Sequence, residues 1–353
     1  MSATDQGETR HIDLRSDTAI QPTPAMLEAV QALGFRDDLL REDESTNALV
    51  QQTCTVLGTA DAVLTPSGTM SNQIAVMAFT SPGEEVILGP ASHVRNLESA
   101  GLAANAGVQI RCIPVDRGTY DTDALARELR ASSLQVARTG LISLEATYDL
   151  NSGFVTPLEN YRDIRRIADE HDVPVFLDGA RLFNSAHALG VDPREIAQHV
   201  HAVQFCLNKG LGAPLGSMLA GSQAFIERAR RLRQRLGGGM RHTGWLAAPG
   251  LIALQEWQDT IAADHRAAQQ VAERLDSVVG LTVVNRPVET NIVSLQVDPA
   301  VLSIDAFIEA LIARGVYVKR IGDDRVRLVT HRSASTDDLE RACTAIEQTV
   351  RSA

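Results

Sequence analysis

From residue 62 onward, short apolar runs alternate with longer stretches patterned like helices. Runs of four or five residues bounded by Gly, Pro, Asn or Asp read as buried strands, and the longer stretches as helices with an apolar face. Strands are expected at 62–65, 85–88, 109–113, 140–144, 174–177 and 202–206, and helices at 73–79, 96–106, 122–131 and 158–171. Ahead of them, 24–33 reads as a helix capped by Thr23 and 47–57 as a second. Residues 1–20 read as an extended arm with one short strand. Strands separated by helices of this length predict an α/β chain with a mainly parallel, helix-covered sheet.

The pattern changes near residue 250. A long helical stretch at 251–275 leads into shorter elements at 281–284, 292–297, 304–313, 317–320, 326–329 and 337–350. These predict a smaller strand-and-helix domain. The expected organisation is an arm and helix over 1–45, a large domain over 46–250 and a small C-terminal domain over 251–353. No internal repeat or low-complexity segment interrupts it.

Composition narrows the function classes. With 44 acidic against 33 basic residues the net charge is −11, which argues against non-specific nucleic-acid binding. No apolar run reaches the ~18 residues of a membrane span. The polar, acidic stretch Met1 to Glu8 does not read as a signal peptide. Cys54, Cys112, Cys206 and Cys343 are widely spaced, with no CxxC pair and no metal-ligand pattern. Scattered cysteines fit a reducing compartment, so a cytoplasmic protein is expected.

Only two of the 33 basic residues are lysines, Lys209 and Lys319. Lys209 lies in a Gly-rich turn directly after an apolar run. A lysine amine can form a Schiff base and an arginine guanidinium cannot. The alternative is a solvated lysine in an arginine-biased chain. The glycines at 210, 212 and 216 do not make a dinucleotide fingerprint, because the third falls one residue late.

In open parallel sheets ligands bind beyond the carboxyl ends of the strands. Three polar clusters occur at such ends. Ser67-Gly68-Thr69 joins a strand to a helix, where free N–H groups favour a phosphate; such turns also serve as plain helix caps. Asp178 ends a buried strand, where a carboxylate needs a cation. A protonated pyridine nitrogen would satisfy it, and so would Arg181 in a structural pair. Lys209 is the third. A phosphate cradle, a pyridinium partner and an amine are what a protein must supply to pyridoxal phosphate.

Five stretches then resemble the motifs of L-threonine aldolases, within the beta-eliminating lyase family of fold type I pyridoxal phosphate enzymes. They are Asp13-Leu14-Arg15-Ser16-Asp17-Thr18, Leu177-Asp178-Gly179-Ala180-Arg181-Leu182-Phe183-Asn184, Lys209-Gly210-Leu211-Gly212-Ala213-Pro214, Gly237-Gly238-Gly239-Met240-Arg241 and Arg327-Leu328-Val329-Thr330-His331. The likeness runs in the family's order from about residue 12 to 350.

The resemblance implies an aspartate-aminotransferase-like fold, with a mainly parallel seven-stranded sheet in the large domain and a smaller α+β domain. It implies that Lys209 holds the cofactor through its amine, Asp178 pairs with the ring nitrogen, and Gly68 and Thr69 bind its phosphate. His93 matches a histidine that stacks on the ring. Ser16, Arg181 and Arg327 match residues that hold the substrate carboxylate, a task suited to the planar guanidinium. Arg241 matches a residue that reaches the phosphate of a neighbouring subunit, which implies a homodimer or homotetramer with shared active sites. The implied activity is cleavage of L-threonine, L-allo-threonine or a related β-hydroxy-α-amino acid to glycine and an aldehyde.

The departures fall near the expected substrate pocket. Where the family shows Glu-Asn-Thr-His-Asn, this chain has Glu145-Ala146-Thr147-Tyr148-Asp149. Tyr148 therefore stands where a histidine is implicated near the substrate hydroxyl. Tyrosine is a poor base at neutral pH unless its pKa is lowered; His93, or a water that it orders, is the other candidate. Leu40 and Arg41 replace a Tyr-Gly pair, and Asn208 replaces the serine before the lysine. Arg41 either faces solvent or binds a second anionic group on the substrate. Another lyase, transaldolase or cyclase activity on the same cofactor is the alternative enzyme, and a non-catalytic ligand-binding relative is the alternative outside enzymes.

Overall fold

The computed structural model describes residues 11–34, 36–131 and 133–352. Residues 1–10 of the expected arm lie outside the described residues. The chain forms two compact units. One spans Ile20–Ile261, and the other combines the residues up to Ala19 with those from Ala262 onward.

The larger unit is built on one sheet. Its strands are β1 (Asp61–Thr65), β2 (Glu85–Leu88), β3 (Gln109–Cys112), β4 (Thr139–Glu145), β5 (Val175–Asp178), β6 (Ala202–Cys206) and β7 (Ser217–Gly221). They are ordered β1-β7-β6-β5-β4-β2-β3. The run from β6 to β3 is parallel, and β7 lies antiparallel to both β6 and β1. Every residue of β2, β4, β5, β6 and β7 is buried. Strands covered on both faces read as continuous apolar runs, which is why β2, β4, β5 and β6 were visible as such.

The register places Glu145 opposite Asp178, and Asp178 opposite Gln204. Three neighbouring strands thus carry three polar residues in one row. The turn after β6 is tight. Gly212 donates its N–H to the Lys209 carbonyl at 2.7 Å with φ of 78°, a backbone that favours glycine. This turn sends the chain back as β7.

Helix α1 (Gly68–Phe79) follows β1, with Ser67 as its cap; the Ser67 side chain accepts the Met70 N–H. Buried residues run from Ser71 to Val76 around the whole helix. Two of them, Asn72 and Gln73, are polar, and buried amides must find partners.

The smaller unit has its own apolar core and a four-stranded antiparallel sheet. Its strands are β8 (Leu281–Val283), β9 (Ile292–Val297), β10 (Lys319–Arg320) and β11 (Arg325–Val329), ordered β8-β9-β11-β10. The short strand Ile12–Asp13 pairs in parallel with Val316–Tyr317 in the same unit.

Several elements differ from expectation. The helix expected at 96–106 is divided into His93–Asn96 and a wide turn at Leu102–Ala106. Ser99 and Ala100, with φ of 51° and 56°, reverse the chain between them. The stretch 251–275 is two helices, Gly244–Gln255 and Trp257–Asp276. Strand β7 and the helix Gln223–Arg235 carry no expectation from the sequence. No helix among the described residues is long and apolar enough to cross a membrane.

Candidate active site

A cavity of about 200 Å³ opens at the carboxyl ends of β4, β5 and β6. Gly68, Thr69, His93, Asp178, Arg181 and Lys209 all line it, together with Asn72, Glu145, Ala146, Gln204 and Asn208. Lys209 reaches it from the turn after β6. Arg181 is buried and precedes the helix Leu182–Leu189, its N–H bound to the Ala146 carbonyl at 2.9 Å.

Asp178 is buried at the end of β5. Its Oδ2 accepts from Asn72 Nδ2 at 2.7 Å, and its Oδ1 accepts from Gln204 Nε2 and from the Ala180 N–H at 3.1 Å. Gln204 is itself fixed: its Oε1 accepts from Ser217 Oγ at 2.7 Å. Neutral amide donors from α1 and β6 therefore offset the burial of this carboxylate and aim it into the cavity.

The N-terminus of α1 enters the same cavity. A Cβ at Gly68 would stand 2.7 Å from Cys206 Sγ and 3.5 Å from Gln204 Oε1. Only glycine lets the helix end come this close to β6, with its first N–H groups unpaired within the helix. Such an end is a ready site for a phosphate.

His93 and two carboxylates flank Asp178. The His93 N–H donates to Glu145 Oε2 at 2.5 Å, and its Nδ1 lies 2.9 Å from Glu98 Oε1. Burial pushes the Glu145 carboxyl up to about 8, and Asp178 pushes it the same way. The His93 N–H and the Lys209 ammonium act in the opposite sense and only in part offset this. His93, Glu98 and Asp178 place ligand atoms within 4.8 Å of one another, a spacing that a metal ion could use. Asn72 Nδ2, however, donates to both carboxylates, so an N–H dipole already occupies their common side.

Of the substituted residues, Ala146 and Asn208 line this cavity, whereas Tyr148, Leu40 and Arg41 do not. Tyr148 is buried, its ring against Gly89, and its hydroxyl accepts the Ala91 N–H at 3.1 Å. Burial, with smaller contributions from Glu145 and Asp149, pushes its phenol up to about 12. Leu40 and Arg41 are exposed and do not line the Lys209 cavity of their own chain. Arg41 has φ of 60°, the left-handed conformation that explains why glycine is usual there. Arg241 is exposed and pairs with Asp37 at 2.8 Å.

Ser16 and Arg327 belong to the smaller unit. Ser16 Oγ accepts from the Thr18 N–H at 3.2 Å and the Thr18 hydroxyl at 2.9 Å. Arg327 is buried on β11, with Nη2 donating to the Arg15 carbonyl at 2.7 Å.

A family model, beta-eliminating lyase, matches residues 13–300. The chain belongs to the beta-eliminating lyase family. The chain of this beta-eliminating lyase is 37% identical to low-specificity L-threonine aldolase 1 of Arabidopsis thaliana over 344 residues, covering 96% of each chain. It is 36% identical to the low specificity L-threonine aldolase of Escherichia coli K12, covering 93% of this chain and 96% of that one. The solved structure of Leishmania major threonine aldolase matches with a TM-score of 0.82 at 18% identity, over 96% of this chain and 99% of that one. That likeness carries the fold, which is that of fold type I pyridoxal phosphate enzymes.

The cavity of this family member fits pyridoxal phosphate on its own geometry. The helix end cleared by Gly68 suits the phosphate, the amide-braced Asp178 suits a protonated ring nitrogen, and Lys209 supplies the amine. Asn72, Gln204, Glu98 and Glu145 were not singled out from sequence. Only Asn72, Gln73 and Gln204 left a signal there, as polar residues inside otherwise apolar buried elements.

Proposed function

We propose that this chain is a pyridoxal-phosphate-dependent aldehyde-lyase that cleaves L-threonine, L-allo-threonine or a related β-hydroxy-α-amino acid to glycine and an aldehyde. The observation that carries the reading is the meeting of Lys209, Asp178, Gly68 and Thr69 in one cavity of a chain that resembles the aldolases along nearly its full length.

When bound, pyridoxal phosphate supplies an electron sink for the pair left at Cα when the Cα–Cβ bond breaks. The protein's share is placement. Asp178 would offer its carboxylate to the ring nitrogen, and Lys209 would supply the attaching amine. Arg181, inside the cavity, is proposed to hold the substrate carboxylate. Ser16 and Arg327 are assigned to that carboxylate by their motifs alone.

The β-hydroxyl proton must leave, and we assign its removal to His93 rather than Tyr148. At pH 7 a phenol pushed up to about 12 is ionised in roughly one molecule in 10⁵. The Tyr148 hydroxyl also already accepts a backbone N–H away from the cavity lining. His93 lines the cavity directly.

Arg241 is proposed to reach a partner subunit's phosphate, in a homodimer or homotetramer of the cytoplasm; its exposed guanidinium supports this. Ala146, which lines the cavity where the family shows asparagine, favours a second reading as another lyase, transaldolase or cyclase.

The test is to incubate the cofactor-loaded protein with L-threonine, L-allo-threonine, phenylserine and β-hydroxyaspartate and to assay glycine and aldehyde. Both products from at least one substrate are expected. Ammonia and a keto acid without glycine would replace aldol cleavage by elimination.

A further inference from the structure

Glu98 has no part in the motifs, yet its side chain is completely buried, at 0% exposure, beside an imidazole that keeps 30%. Its two oxygens take three contacts. Oε1 accepts from Asn72 Nδ2 at 2.8 Å and faces His93 Nδ1 at 2.9 Å, while Oε2 accepts from Gln73 Nε2 at 2.7 Å. Two of the three contacts are amide donors; the direction of the third is set by the imidazole tautomer.

The amide orientation is not arbitrary. Asn72 Nδ2 also donates to Asp178 Oδ2 at 2.7 Å. Turning the Asn72 amide over would set its carbonyl oxygen against two carboxylates. Gln73 is fixed as well, because its Oε1 accepts from Asn105 Nδ2 at 3.2 Å. As a carboxylate that takes both amides as donors, Glu98 can only accept from a third partner, which puts the hydrogen of the His93 contact on Nδ1. That leaves Nε2 as the ring atom able to take a proton. The Nδ1–H form is the minor tautomer of free neutral histidine, so the protein must impose it. The second hold on His93, its N–H on Glu145 at 2.5 Å, fixes the backbone and leaves the ring to Glu98.

We propose that Glu98 is a positioning residue for proton transfer, which sets His93 as the Nδ1–H tautomer with Nε2 as the working base. Through Asn72 the same carboxylate is braced against Asp178. The tautomer stands on the geometry and on Glu98 being a carboxylate; its catalytic consequence rests on the reading of His93 as the base.

The experiment is long-range ¹H–¹⁵N correlation on cofactor-free protein labelled at histidine, with the His93 signal identified by its loss in His93→Asn. The parent is expected to show a protonated Nδ1 and an unprotonated Nε2 at neutral and alkaline pH. A parent with Nε2–H overturns the proposal without any variant having to fold. Glu98→Gln offers one oxygen in place of two and should move the signal toward Nε2–H; an unmoved tautomer again overturns it. In the loaded enzyme, Glu98→Gln should lower kcat by about 10²-fold or more, the low end of what a positioned base contributes. KM should stay within about twofold, and Glu98→Asp should recover part of the loss. A residue that merely supported the fold would lower the unfolding temperature and cofactor content with no change of tautomer. If the tautomer shifts as expected but His93→Asn releases glycine at the parental rate, the base reading fails and takes the catalytic half of the proposal with it.

Discussion

Gly68→Ala places one methyl group against Cys206 in the cavity wall. Its Cβ would lie 2.7 Å from Cys206 Sγ, against an ordinary contact of about 3.5–4.0 Å. One side must therefore give by about 1 Å. Cys206 and Gln204 are buried on β6, and Gln204 is tied to Asp178 and Ser217, so the end of α1 is the part that moves. Overpacking of this kind costs about 1–3 kcal/mol of stability. Displacing the helix end also weakens at least one N–H hydrogen bond to a phosphate, about 1.5–3 kcal/mol. Cofactor affinity should then fall roughly 10- to 100-fold. Absorbance titration of cofactor-free protein with pyridoxal phosphate reads the affinity, and thermal unfolding reads the stability. Adding Cys206→Ala removes the clashing sulfur and should recover most of both. Parental cofactor affinity in Gly68→Ala, or no recovery in the double variant, would refute the cradle argument.

Other outcomes follow from the same geometry. Lys209→Ala should lose the absorbance of attached cofactor and nearly all glycine release; normal turnover would remove its assigned role. Tyr148→Phe should lower kcat by less than about tenfold, whereas a loss of 10²–10⁴-fold would restore tyrosine as the base. Arg327→Ala should raise KM, and an unchanged KM contradicts its carboxylate role. For Glu145, the folded carboxyl keeps its proton up to about 8 while the unfolded chain releases it near 4.5. Between those values the unfolded state binds fewer protons, so the stability of cofactor-free protein should fall as pH rises, by on the order of 5 kcal/mol for the full shift. Glu145→Gln should flatten that slope in unfolding measured from pH 4.5 to 8; the same slope in the variant means that other groups set it.

The sequence was most legible where a short apolar run stands between turn residues. Strands β2, β6 and β9 fall on the residues expected, because an apolar run closed by turn residues has few other readings. Ser217–Gly221 was hidden by the glycines around it, which read as one long turn. The break at Ser99 and Ala100 was hidden because neither residue advertises a left-handed backbone. Asp178 and Lys209 could be found because a charge ending an apolar strand stands out. Glu98 and Glu145 could not, because their importance comes from partners far along the chain. Glu98 meets Asn72 across 26 residues, and Glu145 meets His93 across 52.

The row formed by Glu145, Asp178 and Gln204 has a consequence for how this catalyst can change. Its spacing is not set by loops but by the sheet, whose strands lie about 4.8 Å apart. The site therefore inherits a fixed pitch, much as marks on a ruler do. Insertions and substitutions in the turns beyond the strands, where Ala146, Tyr148 and Asn208 have diverged, leave that pitch untouched. A single-residue deletion within β5 would turn the side chain at Asp178's place to the opposite face. New substrate preferences can thus arise by drift in the turns, while the strands can exchange side chains but tolerate no change in length.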